Sequence, residues 1–196
     1  IHKVIHVDEL EGAGIENNPV NRCYLCKKYM FTKVKELAHS LGISTILEGT
    51  NADDLKQYRP GIKAIQELGL HSPLLEANMT KKEIRELAAV YGLKAANKPS
   101  SPCLATRFPY HTLLNYEEMR KVEKIEDYLH ACGFYNVRAR IHNDIVRLEI
   151  DQDAFMKCMD KRQEIVLFIK ELGYDYVTLD LEGFRSGSQD IKLEEK

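Results

Sequence analysis

The sequence predicts an α/β fold with a parallel sheet and crossover helices, followed by a separate α+β unit. In the first half of the chain, short apolar strand patterns such as 3–7 and 44–48 alternate with helical patterns. Residues 93–114 then show neither the helical nor the strand period of apolar residues, which is typical of a functional or irregular loop. After this stretch the order of elements changes, and two predicted strands, 136–142 and 145–150, follow each other directly.

The first part contains, in order, a strand at 3–7, a helix at 22–41, a strand at 44–48, a helix at 61–68 and a helix that begins at Thr80 and ends at Gly92. In the helix at 22–41, Met30, Val34 and Leu37 recur at a spacing that places them on one face. Thr80 and Glu83 have the spacing of a capping box. Because nothing precedes the first strand that could start a domain, we expect the chain to begin inside a fold.

The second part contains helices at 116–132 and 153–172 and strands at 136–142, 145–150 and 176–181. Gly133 and Gly173 follow the two helices, as expected of helix ends. The boundary between the parts is predicted between 108 and 115. This gives an α/β domain over 1–110 and a smaller α+β domain over 111–196.

The composition excludes several classes of protein. Among 196 residues, 28 are lysine or arginine and 30 are aspartate or glutamate, so no general basic field exists for nonspecific nucleic-acid binding. No apolar run approaches the roughly 20 residues of a membrane span, and no signal-peptide pattern opens the chain. We therefore expect a cytoplasmic protein. Five cysteines, an odd number, favour metal ligands or reactive thiols over a disulfide framework.

The segment GTNADD follows the predicted strand 44–48 at its carboxyl end, where α/β sheets bind ligands. Its glycine permits close backbone approach, and its polar groups suit a nucleotide with Mg²⁺. The candidate ligand-binding residues are Gly49, Thr50, Asn51, Asp53 and Asp54. The alternative is an Asx-type turn that caps the next segment.

Three cysteines are candidate ligands or nucleophiles. Cys23 and Cys26 have C-x₂-C spacing near a helix start, where thiols are acidified and can share a metal. With Cys103 they would provide the three thiolates of a four-iron cluster with one open iron. Packing as small apolar side chains is the alternative for the pair. Lys98 and Arg107 flank Cys103 and favour its thiolate, so we expect a functional thiol there.

Arg138, Arg140 and His142 occupy alternate positions of a predicted strand and therefore project from one face. This cationic face could hold a phosphate group. The alternative is a solvated face that pairs with carboxylates such as Glu149 on the neighbouring strand. Arg185, in a Gly/Ser turn, is a further candidate for contact with an anion.

Seven motifs follow one another over nearly the whole chain: NRCYLCKK, EGTNADD, YRPG, SPLLEA, KPSSPCLATRFPY, VRARIH and LDLEGFRSGS. Together they closely resemble the LarE family of ATP-dependent sulfur transferases, in the PP-loop ATP pyrophosphatase superfamily. The resemblance implies a parallel sheet of the adenine nucleotide alpha hydrolase type, with its N-terminal part missing from this chain. It also implies ATP as cofactor, a small nucleotide-like substrate and a homo-oligomer.

The reaction that the resemblance implies belongs to the synthesis of a nickel-pincer cofactor. ATP adenylylates a carboxylate of a pyridinium dicarboxylate mononucleotide, and sulfur then replaces AMP to give a thiocarboxylate. Cys103 matches the family's sulfur-donor position. In one branch this cysteine gives up its own sulfur, and in another it joins a C-x₂-C pair to hold an iron–sulfur cluster that carries sulfide. The presence of Cys23 and Cys26 favours the second branch.

The sequence departs from the family in two places. The phosphate-binding PP-loop, which lies upstream of the position matching Ile1, is absent from these residues, so we expect this chain alone to be inactive. Thr106 stands where the family more often has Ser, but the hydroxyl group is kept. Two alternatives are a tRNA-thiolating PP-loop enzyme, which the near-neutral charge disfavours, and a non-catalytic, metal-stabilised module that binds a nucleotide.

Overall fold

A computed structural model of the chain describes residues 1–98, 102–185 and 187–188. Residues 99–101 of the motif KPSSPCLATRFPY and Ser186 of the motif LDLEGFRSGS lie outside the described residues. The chain divides into two compact units, Ile1–Lys98 and Pro99–Lys196. The assignment of a nucleotide domain to 1–110 and of a substrate or oligomerisation domain to 111–196 stays a prediction, because compactness does not assign a role.

The first unit consists of helices joined by irregular segments. They are α1 (Glu9–Ala13), α2 (Arg22–Ser40), a 3₁₀ turn (Ala52–Lys56), α3 (Gly61–Glu67), α4 (Pro73–Glu76), α5 (Lys81–Val90) and a 3₁₀ turn (Lys94–Asn97). The predicted helices α2, α3 and α5 are thereby confirmed. At the start of α5 the predicted capping box forms, since Thr80 Oγ1 accepts from the backbone of Glu83 and the Glu83 carboxylate accepts from the backbone of Thr80.

The strands predicted for this unit are not formed as ladders. Residues 3–7 are irregular, and Val4 is 65% exposed. In the segment 44–48 the described residues make a single parallel bridge, between Leu47 and His71. An apolar pattern identifies the face that a strand can bury, but a strand also needs a neighbour for its backbone hydrogen bonds. The described residues of this unit provide no such neighbour for 3–7.

Helix α2 is the centre of the first unit and lies against both α1 and α3. Two glycines permit this close packing. A Cβ atom on Gly12 would lie 2.4 Å from the ring of Tyr29, and one on Gly61 would lie 2.6 Å from Lys27 Cδ. Ala64 and Ile65 of α3 are buried beside these contacts. The small residues therefore set the spacing of the helices.

The second unit is an α+β structure, as predicted. Its elements are a 3₁₀ turn (Leu104–Arg107), α6 (Tyr116–Ala131), β1 (Val137–His142), β2 (Ile145–Ile150), a 3₁₀ turn (Gln152–Ala154), α7 (Phe155–Asp160), α8 (Arg162–Glu171) and β3 (Tyr176–Leu179). The three strands form one sheet in the order β1-β2-β3. The chain as a whole is therefore a mixed α/β protein.

The sheet is built from a hairpin and a crossover. Strands β1 and β2 are antiparallel, and His142 pairs with Ile145, so that Asn143 and Asp144 form the turn. Asn143 has a φ of 58°, a conformation that asparagine tolerates better than most residues. Strand β3 pairs in parallel with β2 after the chain crosses through α7 and α8. The helix predicted at 153–172 is thus two helices, which meet at Lys161.

The apolar core of the second unit lies between its helices and the sheet. Its fully buried side chains come from α6, the strands and α8, and include Val122, Ile125, Leu129, Val137, Ala139, Val146, Ile150 and Ile169. Both α6 and the 3₁₀ turn at Leu104–Arg107 contact β1. Within the part of the chain that the structure describes, no helix has the length and apolar character needed to cross a membrane.

Helix α8 offers a matched test of this core. Ile169 is 0% exposed, whereas Leu167 on the same helix is 62% exposed. We expect Ile169→Ala to lower the free energy of unfolding by about 2–5 kcal/mol, because it removes buried methyl groups and leaves a cavity. Leu167→Ala should change it by less than about 0.5 kcal/mol. Urea unfolding followed by circular dichroism measures both, and equal losses would contradict the assignment of Ile169 to the core.

Candidate functional site

The segment 49–54 forms the loop predicted to bind a nucleotide, and most of its polar groups already have partners. Asn51 and Asp54 form a capping box at the start of the 3₁₀ turn Ala52–Lys56. Asn51 Oδ1 accepts from Asp53 N at 3.1 Å, and Asp54 Oδ2 accepts from Asn51 Nδ2 at 2.7 Å. The Asx-type cap that the sequence left as an alternative is therefore present. Ligand binding by these residues stays a prediction.

The two aspartates of this loop each contact a cation. Lys56 Nζ lies 2.9 Å from Asp53 Oδ1, and Arg59 Nη2 lies 3.2 Å from Asp54 Oδ1. The hydrogen bond from Lys56, followed by one from the backbone of Lys81, lowers the pKa of Asp53. The carboxylate of Asp53 is thus suited to stay ionised. A magnesium ion would have to compete with Lys56 and Arg59 for the two carboxylates.

Glu48 is a residue of this site that sequence reasoning missed. Its carboxylate accepts from Thr50 N at 3.0 Å, from Thr50 Oγ1 at 2.8 Å and from Ser72 Oγ. Burial alone would raise the pKa of Glu48, but the hydrogen bonds from Ser72 and Thr50 outweigh burial and lower it. The hydroxyl of Thr50 is therefore committed to Glu48. Gly49 is exposed, and a Cβ atom there would meet nothing within 4 Å, so its backbone can approach a ligand.

Cys23 and Cys26 lie in the first turns of α2, where Cys23 is exposed and Cys26 is half-buried. Their i, i+3 spacing places both thiols on one side of the helix. Over residues 1–98, 102–185 and 187–188, no group of three or more His, Cys, Asp or Glu side chains is arranged to hold a metal ion. Cys103 belongs to the second unit. The iron–sulfur cluster predicted for Cys23, Cys26 and Cys103 stays a prediction.

The thiol of Cys103 is exposed, at the start of the 3₁₀ turn Leu104–Arg107. The backbone carbonyl of Cys103 accepts from Thr106 N at 3.0 Å and from Thr106 Oγ1 at 2.8 Å. These two bonds close the turn on which the thiol is carried. Cys158, by contrast, is buried in α7, and burial raises the pKa of its thiol.

Arg107, predicted to assist Cys103, is only 2% exposed. Its Nε and Nη2 donate to the two carboxylate oxygens of Glu126, at 2.7 and 2.8 Å. Its Nη1 donates to Thr106 Oγ1 at 2.7 Å and lies 3.5 Å from the carbonyl oxygen of Cys103. The guanidinium therefore binds the backbone that carries the thiol. A catalytic role for Arg107 stays a prediction.

The arginines of β1 do not form a solvated face. Arg138 and Arg140 are 6% and 7% exposed. Arg140 donates to Glu149 through Nε at 3.0 Å and Nη2 at 3.1 Å, and its Nη1 donates to the carbonyl of Thr106. Glu149 is fully buried and also accepts from Arg147 at 3.0 Å. The carboxylate pairing that the sequence left as an alternative is thus observed.

The remaining cations of the predicted phosphate site differ in exposure. The guanidinium of Arg138 lies over the ring of Phe184, 5.0 Å from its centroid, and burial together with the nearby Arg107 lowers its pKa to about 10. His142 is exposed at the hairpin, but desolvation of its ring and the charge of Arg147 lower its pKa. Arg185 is partly exposed, and its Nη2 pairs with Glu182 Oε2 at 2.6 Å. Substrate binding by these residues stays a prediction.

Comparison with known proteins identifies homologues that cover almost the whole chain. An uncharacterised protein of Synechocystis sp. is 37% identical over 95% of the chain and 70% of its own length. The pyridinium-3,5-bisthiocarboxylic acid mononucleotide synthase of Lactiplantibacillus plantarum is 38% identical over 95% of the chain and 68% of its own length. An uncharacterised protein of Methanocaldococcus jannaschii is 32% identical over 94% of the chain and 70% of its own length. No family model matches.

Identity at this level to the synthase, over more than two thirds of its length, assigns the chain to a class of enzymes, the ATP-dependent sulfur transferases. The chain belongs to the LarE family. The family predicted from the motifs is therefore confirmed.

The balance of burial and hydrogen bonding at Glu48 can be tested by replacing one donor. We expect Ser72→Ala to raise the pKa of Glu48, because one of the hydrogen bonds that lower it is lost. The pKa is measured by carbon-detected NMR titration of the carboxyl group. Ser40→Ala removes a hydroxyl that donates to Leu37 and should leave Glu48 unchanged.

The lowered pKa of Glu48 also predicts how the stability of the protein depends on pH. Because folding lowers the pKa of Glu48, its ionised form adds to the free energy of unfolding above its unfolded-state pKa. This contribution is lost as the pH falls through the lower pKa of the folded state. A wild-type pKa of Glu48 at or above its ordinary value would contradict the expected dependence of stability on pH. An unchanged pKa in Ser72→Ala would contradict the role given to Ser72.

Proposed function

We propose that the chain is part of an ATP-dependent sulfur transferase that converts a pyridinium dicarboxylate mononucleotide to its thiocarboxylate in nickel-pincer cofactor synthesis. The observation that carries this proposal is 38% identity, over 95% of the chain, to a pyridinium-3,5-bisthiocarboxylic acid mononucleotide synthase. The exposed thiol of Cys103 is consistent with it, because a sulfur donor must reach its substrate.

The chemistry requires activation of the carboxylate before sulfur can attack. A carboxylate oxygen of the substrate attacks the α-phosphorus of ATP, and the bond to pyrophosphate breaks. The acyl-adenylate then has AMP as a leaving group, so a sulfur anion can add to its carbonyl carbon and the bond to AMP breaks. If Cys103 supplies its own sulfur, loss of its Cα proton and cleavage of its Cβ–Sγ bond release the thiocarboxylate and leave dehydroalanine.

ATP and Mg²⁺ are proposed to bind at the segment 49–54, in a parallel sheet of the adenine nucleotide alpha hydrolase type. The open space beside Gly49 supports close approach of a nucleotide to the backbone. The ion pairs of Asp53 and Asp54 are partly exposed, so both carboxylates can exchange their partners. Glu48 and Ser72 would keep the loop in place during that exchange.

The phosphate of the substrate is proposed to bind near Arg138, Arg140, His142 and Arg185. Among the described residues of the second unit, the guanidiniums of Arg107, Arg138, Arg140 and Arg147 lie close to the carboxylates of Glu126 and Glu149. Partly buried positive charge attracts an anion more strongly than the same charge in water. A homo-oligomer is proposed for the assembled enzyme.

The source of the sulfur can be decided on the full-length enzyme purified under nitrogen. We propose a four-iron cluster held by Cys23, Cys26 and Cys103, since the C-x₂-C pair supplies two thiolates on one side of α2. We expect brown protein that contains iron, and Cys23→Ala should remove the iron. Cys132→Ala is the matched control and should keep it.

Mass spectrometry of the same enzyme after reaction with ATP and substrate separates the two routes. On the cluster route, Cys103 keeps its mass while thiocarboxylate forms. Loss of the mass of one sulfur at Cys103 would establish that the cysteine is consumed. Colourless protein with stoichiometric zinc would reject the cluster.

Substrate binding is tested most cleanly at Arg185. Its side chain is 38% exposed, so Arg185→Ala leaves no buried carboxylate without a partner, whereas Arg140→Ala would leave Glu149 without a charge that it now pairs with. We expect Arg185→Ala to weaken binding of the pyridinium mononucleotide about tenfold, the effect of one charged hydrogen bond.

Calorimetry of the full-length enzyme measures this binding and the binding of ATP, which should not change. Arg162→Ala is the control, because Arg162 is an exposed arginine of α8 that donates to Met159. An equal loss of substrate and ATP binding in Arg185→Ala would indicate a folding defect and contradict the assignment.

A further inference from the structure

The turn that carries Cys103, residues 102–107, is attached to the rest of the second unit by the buried carboxylate of Glu126. Glu126 lies in α6 and is 7% exposed. Its two oxygens accept from Arg107 at 2.7 and 2.8 Å, and Oε1 also accepts from the backbone N–H of Ala139 at 2.9 Å. One carboxylate therefore joins α6, β1 and the turn.

Arg107 connects Glu126 to the backbone of Cys103. Its third nitrogen, Nη1, donates to Thr106 Oγ1 at 2.7 Å and lies 3.5 Å from the carbonyl oxygen of Cys103. Thr106 Oγ1 in turn donates to the same carbonyl at 2.8 Å. Glu126 is thus linked to the backbone of Cys103 through the side chain of Arg107.

The buried pair of Glu126 and Arg107 is better explained by the orientation that it gives the guanidinium than by a contribution to the stability of the fold. Burying an ion pair costs about as much in desolvation as its attraction returns, so apolar side chains could stabilise the fold equally well. A bidentate arginine–carboxylate pair, however, fixes the plane and direction of the guanidinium. Cys103 is exposed on an irregular segment and needs such a constraint, because a displacement of about 1 Å can slow a reaction by about a hundredfold.

We propose that Glu126 is a positioning residue for sulfur transfer: it orients Arg107, which holds the turn so that sulfur at Cys103 meets the activated carboxylate. The proposal rests on the proposed function, since the position of Cys103 affects the reaction only if sulfur is delivered from it. Glu126 itself touches neither the thiol nor the substrate in this role.

The test is Glu126→Gln in the full-length enzyme. Glutamine keeps the size of the side chain and one acceptor, but it replaces the second acceptor by an NH₂ group that faces the donors of Arg107. We expect the single-turnover rate constant for thiocarboxylate formation, at saturating ATP and substrate, to fall about tenfold or more. The Kd of the substrate should stay within about twofold, because the role is in positioning and not in binding.

A second measurement on the same variant needs no substrate. The rate of alkylation by iodoacetamide, resolved by peptide mass spectrometry, should change at Cys103 because its turn is no longer held. It should stay the same at Cys132, a partly exposed thiol outside the proposed cluster that serves as internal reference. If Glu126 only stabilised the fold, Glu126→Gln would change neither the rate of thiocarboxylate formation nor the rate of alkylation of Cys103 at temperatures well below unfolding.

Two further variants show whether Glu126 acts through Arg107. Arg107→Lys keeps the charge but loses the bidentate geometry, so we expect the same deficit, and Glu126→Gln should add little to it in the double variant. Glu118→Gln is the matched control on the same helix, because Glu118 contacts Lys121 and Tyr174. It should react at the wild-type rate.

Denaturant midpoints of all variants ensure that each is folded during the assays. A wild-type rate and wild-type alkylation of Cys103 in Glu126→Gln would overturn the positioning role, whatever its stability. If the wild-type enzyme forms no thiocarboxylate, the proposed function fails. The alkylation of Cys103 then still decides whether Glu126 holds the turn.

Discussion

The buried pair of Arg107 and Glu126 is the interaction on which the geometry around Cys103 depends. It does not act alone, because Arg140 binds Glu149 close by, and both arginines also contact Thr106, one at its hydroxyl and one at its carbonyl. Thr106 is therefore held between two guanidiniums whose own positions are set by carboxylates. The exposed thiol needs no packing of its own, because the backbone beneath it is held at several points.

The same pairs explain how a nearly neutral chain can concentrate positive charge. Guanidiniums this close together repel one another strongly when water is excluded, and the lowered pKa of Arg138 reflects that cost together with its burial. Glu126 and Glu149 reduce this repulsion by pairing with Arg107 and Arg140. Positive charge that is grouped in this way favours the binding of an anion.

The sequence was sufficient where local signals decide the structure. The capping box of Thr80 and the adjacent strands β1 and β2 depend on neighbouring residues, and both were predicted. The strand at 3–7 was predicted wrongly, because its backbone partner cannot be read from its own periodicity. Arg138 and Arg140 were expected to form a cationic face for a phosphate group, with a solvated face as the alternative. Their burial, and the pairing of Arg140 with Glu149 of the neighbouring strand, do not follow from the alternation alone. Glu126 was missed, because a glutamate in a helix rich in charged residues gives no sign of burial.

The ion pairs of the two candidate sites differ in exposure, and exposure determines how readily a pair exchanges its partners. The pairs of Lys56 with Asp53 and of Arg59 with Asp54 are partly exposed, and such pairs contribute little and rearrange readily. The pair of Arg107 with Glu126 is buried, and breaking it leaves a charge without compensation. A nucleotide that enters and leaves in each cycle requires contacts of the first kind. A sulfur that must be presented in one orientation requires contacts of the second kind.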